Sequence, residues 1–216
     1  MLKLYTYFRS SAAYRVRIAL NLKQLDYSAI PVHLVRAGGE QHDPAYAERN
    51  PQQLVPTLET DDGPLTQSLA ILEYLDEIAP MPPLLPADAM GRAQVRALAL
   101  VVACEIHPLN NLRVLNYLRD DLAIEKDRRD AWYRHWLELG LSAFERLVNR
   151  TAQRGPFCYG DAPSLADCCL VPQVFNARRF GCALDQFPNI QRIDAYCAAL
   201  EAFQRAAPGA QADADT

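Results

Sequence analysis

Hydrophobic and polar positions along this chain follow two rhythms, and the rhythm changes once. KLYTYF at residues 3–8 has the short apolar and aromatic character of a strand. In RSSAAYRVRIAL, residues 9–20, Val16, Ala19 and Leu20 recur at helical spacing, as do Ile18 and Leu22, which predicts a helix to about Lys23. Ser10 and Ser11 stand at its start, where a hydroxyl satisfies a backbone N–H left unpaired by the first turn. Residues 28–34, SAIPVHL, put Ile30, Val32 and Leu34 on one face of a strand, and Pro31 suits an edge. Residues 36–50 are polar with paired glycines and read as a loop with one short helix. After Val55-Pro56 comes a short strand, TLET, then a DDG hairpin turn at 61–63 and PLTQ. Ser68 caps a second helix, SLAILEYLDEIA, whose apolar face carries Ile71, Leu72 and Leu75.

The mixed pattern stops at PMPPLLPAD, residues 80–88, a proline-rich linker. From Ala89 to about Ala207 the periodicity is helical throughout. One long helix is expected over 89–119, bent near Pro108, which removes a backbone donor. Another covers 127–149, where Trp132 and Trp136 lie four apart and pack on each other. Ser164-Leu-Ala-Asp167 is a capping-box pattern opening a buried helix through Arg179. Pro188 starts a last helix. The expected organisation is a mixed domain over 1–80, a linker over 81–88, an all-helical domain over 89–208 and a mobile tail over 209–216.

Composition narrows the function. A net charge of −4 and a pI near 5.6 give no electrostatic support to a nucleic-acid partner. No apolar run approaches the roughly 20 residues of a membrane span, and no secretory signal is expected. The six cysteines include no C-x-x-C pair, and the four histidines lack metal-ligand spacing. They read as buried thiols of a reducing cytoplasm, with no metal site.

Five motifs, in this order and spacing, carry a resemblance. SSAAYRVRIALNLK at 10–23, NPQQLVPTLE at 50–59, QSLAILEYLDE at 67–77, EIHPLNNLRVL at 105–115 and LADCCLVPQVFNARRF at 165–180 together resemble the zeta class of glutathione transferases. The likeness runs from Lys3 to about Ala207. One position departs from it: the family signature reads Ser-Ser-Cys, and Ala12 stands where that cysteine would be.

The resemblance implies an α/β thioredoxin-like domain followed by an all-α domain, the glutathione transferase fold. It implies glutathione as cofactor, a small dicarboxylate substrate, a homodimer and a cytoplasmic enzyme of aromatic-acid or tyrosine catabolism. The reaction it implies is a cis–trans isomerisation of maleylacetoacetate or maleylpyruvate to the fumaryl isomer by reversible thiolate addition. A conjugating or dehalogenating transferase is the alternative, and a non-catalytic association module a third reading. Ser11 is the implied partner of the thiolate, with Ser10 the nearby alternate, Ala12 in the same turn, and Tyr5, Tyr7 and Tyr14 still open as donors. A thiol of pKa near 8.5 must fall by about two units to ionise near neutrality, roughly 2.7 kcal/mol. A charge-assisted hydrogen bond supplies about 1.5–3 kcal/mol and a helix N-terminus up to about 2, so Ser11 suffices in magnitude.

The other implied glutathione contacts are Gln41, the backbone of Val55 beside a cis proline, Gln67 and Ser68 at a helix start, His107, Asn111 and Arg113. Arg9 and Arg179 are the implied catalytic cations, because a planar guanidinium bonds both oxygens of a carboxylate. His107 joins them from its place beside Pro108. Arg15 and Arg17 lie two apart, and at least one is expected to be structural.

Overall fold

The computed structural model describes residues 1–214. The chain divides into two units: Met1–Leu84 together with the chain from Ala198 onward, and Leu85–Cys197.

The first unit is built on a four-stranded sheet. Its strands are β1 (Leu2–Thr6), β2 (Tyr27–Pro31), β3 (Thr57–Thr60) and β4 (Gly63–Thr66), in the order β2-β1-β3-β4. β1 and β2 run parallel, with Leu4 opposite Ala29, and β3 is antiparallel to β1, with Leu4 opposite Leu58. Pro31 ends β2 at a sheet edge, where a missing N–H costs no ladder bond. β3 and β4 form the expected hairpin, with Gly63 at φ +121. Between β1 and β2 runs α1 (Ser11–Leu22), and α2 (Pro44–Arg49) is the short helix of the polar loop. α3 (Ser68–Ile78) follows β4.

α1 is buried on nearly every side, from Ser11 through Leu20 with the exception of Ala12. The reason lies at the far end of the chain. Beyond the second unit the chain returns and packs a short C-terminal helix, Glu201–Ala206, against α1, where Asn21 donates to Ala202 O at 2.9 Å. The segment expected to be a mobile tail makes defined contacts as far as it is described. Pro208–Ala210 forms a turn, the Asp213 carboxylate accepts the Phe8 N–H at 2.9 Å, and Ala214 packs on the apolar cluster of Tyr7, Phe8, Val32, Tyr46 and Val55. Asp215 and Thr216, the end of that expected tail, lie outside the described residues.

The buried Lys23 ammonium joins Asp76 near the end of α3 to the carbonyls of Ala79 and Pro82, at 2.7 and 2.6 Å. It thereby gathers the C-terminal end of α3 and the start of the proline-rich segment on one cation.

The second unit is helical: α4 (Ala89–Leu100), α5 (Leu112–Asp120), α6 (Lys126–Val148), α7 (Leu165–Arg179) and α8 (Pro188–Ala198). The short C-terminal helix of the first unit is α9. The long helix expected over 89–119 is broken rather than bent. α4 widens into a π-helical turn at Val101–Ile106, and a 3₁₀ turn at Pro108–Asn110 separates it from α5. The change follows from Pro108, which has no N–H to give to Cys104 O, while His107 N–H reaches back five residues to Val102 O.

Ala89–Asp120 also departs from expectation in composition. By length and mean hydropathy, 1.2 over its most apolar window, it could cross a membrane, and only 28% of that window is buried. Its exposed residues are arranged: Met90 at 65% exposure, Ala93, Ala97 and Leu100 at 43% fall on one stripe of α4.

α7 is the spine of this unit. Its start is a complete capping box, in which the Asp167 carboxylate accepts Ser164 N–H at 2.8 Å and Ser164 Oγ–H at 2.7 Å. A further N–H, from Cys158, reaches the same fully buried carboxylate at 2.8 Å. Five cysteines are buried and in no disulfide; Cys104, expected among them, is exposed on the π-helical turn.

Candidate active site

In the first unit the site is assembled from two helix starts and two loops. The Tyr7–Ser10 turn closes through Ser10 N–H to Tyr7 O at 2.9 Å and delivers Ser10 as the N-cap of α1, its Oγ accepting Ala13 N–H at 3.2 Å. The capping role therefore belongs to Ser10. Ser11 is the first residue within the helix and is buried. Ala12 follows, half-buried, with no thiol in this turn.

Of the tyrosines left open, Tyr5 donates its hydroxyl to Glu59 Oε2 at 3.0 Å, and burial together with that carboxylate raises its pKa. Tyr7 lies in the apolar cluster, edge-on to His33, and the Tyr14 ring lies against the Arg17 guanidinium, 5.4 Å from centroid to carbon. Arg9 is exposed, 4.7 Å from the Phe8 ring centroid.

Ser68 opens α3, and the residue before it, Gln67, is held at φ +67. A left-handed backbone at a non-glycine residue costs of order 1–3 kcal/mol and is found where a side chain or N–H must point in a set direction. Gln67 Nε2 donates to Gln52 Oε1 at 2.7 Å. Arg15, one turn into α1 and 2% exposed, donates from Nη1 to Ser68 Oγ at 3.1 Å. Both Arg15 and Arg17 are thus built into the fold, where at least one was expected to be.

The NPQQLVP loop is tied down from behind. Asn50 Nδ2 donates to Leu54 O at 2.7 Å and to Thr57 Oγ1 at 3.2 Å, and the Tyr46 hydroxyl donates to Leu54 O at 2.6 Å. Leu54 precedes Val55, and the Val55–Pro56 bond is cis. Gln41 sits on a 3₁₀ turn, Glu40–His42, and is 8% exposed. Its Nε2 is 3.0 Å from His42 Nε2, while its buried Oε1 has no hydrogen-bond partner among the described residues. Gly39, at φ +108, makes room for this amide: a Cβ there would stand 2.4 Å from Gln41 Nε2.

In the second unit one candidate, Arg179, lies beside an aromatic pair. Tyr133 of α6 stacks on Phe180, centroids 3.5 Å apart and planes at 10°. The Arg179 guanidinium, exposed at the end of α7, lies 5.0 Å from the Phe180 centroid. Burial raises the Tyr133 hydroxyl's pKa while the Arg179 charge lowers it. The half-buried His107 begins a segment whose next residues hold α6: Trp132 Nε1 donates to Leu109 O at 2.9 Å, and Asn110 Nδ2 to Tyr133 O at 3.2 Å. Asn111 caps α5 by accepting Arg113 N–H at 3.1 Å, and Arg113 is exposed. The two tryptophans meet edge to face at 5.6 Å. Gln52, Tyr46 and Asn50 were not singled out from the sequence, although NPQQLVP contains two of them.

The N-terminal domain model of the glutathione S-transferases matches residues 4–83, and their C-terminal domain model matches residues 130–209. The holo structure of a maleyl pyruvate isomerase, described as a bacterial glutathione S-transferase in zeta class, is 49% identical with a TM-score of 0.94, covering 98% of this chain and 99% of its own. The chain belongs to the zeta class of the glutathione S-transferases. A probable maleylacetoacetate isomerase of Vibrio cholerae is 51% identical over 211 residues, 98% of this chain and 97% of that protein. The maleylacetoacetate isomerase of Anaeromyxobacter dehalogenans, solved with GSH in its active site, is 47% identical with a TM-score of 0.88, covering 99% and 98% of the two chains.

The first unit's residues fit that ligand of the family. An unsatisfied buried acceptor costs about 1–3 kcal/mol, and Gln41 Oε1 is such an acceptor among the described residues. Two helix N-termini offer donors to anions: one begins at Ser11, the other at Ser68, with an arginine reaching from the first helix to the second.

Proposed function

We propose that this chain is a glutathione-dependent cis–trans isomerase of maleyl diacids, maleylacetoacetate or maleylpyruvate, in the catabolism of tyrosine or related aromatic acids. The observation that carries the reading is the division of labour at α1: Ser10 takes the cap, and Ser11 stands buried at the first helical position. Glutathione, when bound, supplies the sulfur that adds reversibly to the substrate's double bond. Ser11 donates its hydroxyl to the sulfur anion at the positive end of α1, which favours the ionised form. Ser68 hydrogen-bonds the glutamyl carboxylate, Gln67 presents the start of α3, and Gln41 and the Val55 backbone hold the peptide-like remainder. Ala12 leaves the serine as the polar group of that turn. Arg9 and Arg179 take substrate carboxylates through two-pronged hydrogen bonds, with Arg113 a further cation and His107 and Asn111 lining the ligand.

Six free thiols support a reducing cytoplasmic setting. The exposed stripe Met90, Ala93, Ala97 and Leu100 supports a homodimer, since helices bury such stripes.

Stoichiometry tests the reaction. Addition followed by elimination returns the thiol at each turnover, whereas conjugation consumes it. With glutathione far below a maleyl diacid, complete conversion to the fumaryl isomer at constant free thiol is the expected result. Thiol loss in step with product would replace this reading with the conjugating transferase, and no turnover with no glutathione binding would favour the association module.

A further inference from the structure

The turn that delivers the serines is gripped from both sides by residues the reaction does not use. Phe8, at its second position, donates its N–H to Asp213 Oδ2 at 2.9 Å, and its carbonyl accepts from Arg17 Nη2 at 3.0 Å. Tyr7 O accepts the turn-closing Ser10 N–H and also Arg17 Nη1 at 3.3 Å. The same Nη1 reaches Thr6 Oγ1 at 2.9 Å, and Nε reaches Ala206 O in α9 at 3.0 Å. Arg17 is fully buried, and burial pulls its pKa down to about 10 against the opposing effect of the Asp213 charge, so it remains a cation at neutral pH.

A buried charged group contributes little stability beyond an apolar side chain of equal volume. What it supplies here is direction, because a guanidinium fork and a carboxylate fix the backbone groups they bond. The turn so fixed ends at the cap of α1, one residue before Ser11.

We propose that Arg17 and Asp213 are positioning residues for thiol activation, and that the returning C-terminal segment is a working part of the glutathione site. The proposal rests on the reading of Ser11 given above. A displacement of about 1 Å at such a donor is enough to cost about a hundredfold in rate, and Asp213 lies in a segment that a shorter chain would lack.

The test follows the ionisation of enzyme-bound glutathione with pH, by thiolate absorbance, in parallel with glutathione affinity, kcat and thermal midpoint. Asp213→Ala is expected to raise the bound thiol's pKa by about one unit and to lower kcat at neutral pH, with little change in affinity. Asp213→Asn keeps an acceptor for Phe8 N–H and is expected to recover much of the shift. Arg17→Lys keeps the charge without the fork and is expected to behave like Asp213→Ala. Asn21→Ala loosens α9 by removing the bond to Ala202 O without touching the turn; it is expected to lower the thermal midpoint and leave the thiol pKa alone. An unshifted pKa in Asp213→Ala overturns the proposal, as does an equal shift in Asn21→Ala. A wild-type protein that binds glutathione without depressing its thiol pKa would instead remove the Ser11 reading itself.

Discussion

Arg15 and Ser68 are joined by a buried hydrogen bond of 3.1 Å between α1 and α3. The guanidinium has donors only, so Ser68 Oγ must accept, and its own proton is left for an acceptor elsewhere. A carboxylate at the start of α3 is that acceptor in the proposed function. Arg15→Met is therefore expected to weaken glutathione binding about tenfold, the scale of one charge-assisted bond, with kcat at saturating glutathione changed far less. Calorimetric titration beside steady-state kinetics checks this; a fall in kcat with unchanged affinity would place Arg15 with the sulfur instead.

The two serines separate cleanly. Ser11→Ala should raise the pKa of bound glutathione by about one to two units and reduce kcat, leaving binding largely intact. Ser10→Ala should cost about 1 kcal/mol of stability through the lost cap and shift the thiol much less. Thiol titration and denaturant midpoints on both variants decide it. The opposite pattern would transfer the catalytic role to Ser10.

Arg179→Met should raise KM for a maleyl diacid at least tenfold more than for an uncharged chloronitrobenzene, since only the diacid loses a paired charge. Its guanidinium is exposed and rests on Phe180, so the fold should tolerate the change. Equal losses for the two substrates would make Arg179 a residue of the scaffold.

Leu100→Glu places a charge in the exposed stripe of α4 and should convert a dimer to monomer without unfolding it. Sedimentation at several concentrations, with circular dichroism as control, reads this out. A wild-type monomer, or a dimer indifferent to Leu100→Glu, would put the interface elsewhere or nowhere.

What the sequence made legible was local. Ser10 caps because its hydroxyl and the Ala13 N–H are three residues apart, and Ser164 and Asp167 pair for the same reason. Pro31 and the DDG turn announce an edge and a hairpin through backbone chemistry that needs no partner. Of Arg15 and Arg17 at least one was expected to be structural, but their spacing named no partner for either. Here α3 and α9 cover α1, and that covering is invisible to a periodicity count. The bond from Asp213 to Phe8 spans 205 residues, so no window over the sequence contains both ends. The break at Pro108 was placed correctly but mistaken for a bend, because proline reports a lost donor and not which turn replaces it. The site residues named from resemblance depend on the five motifs together; residues such as Gln52, which binds Gln67, act through side-chain reach that the motifs do not encode.

The return of the chain to α1 also bears on how the protein is made. The glutathione-binding unit is split in sequence, with the helical unit lying between its two parts. During synthesis the N-terminal sheet and its first helices emerge early, and domains ordinarily fold in that order as they leave the ribosome. Here the face of α1 that α9 covers stays open, and Arg17 lacks Ala206 O, until α9 has been translated. The nascent protein thus completes its ligand-binding half only after the helical unit has been made, although that half begins first.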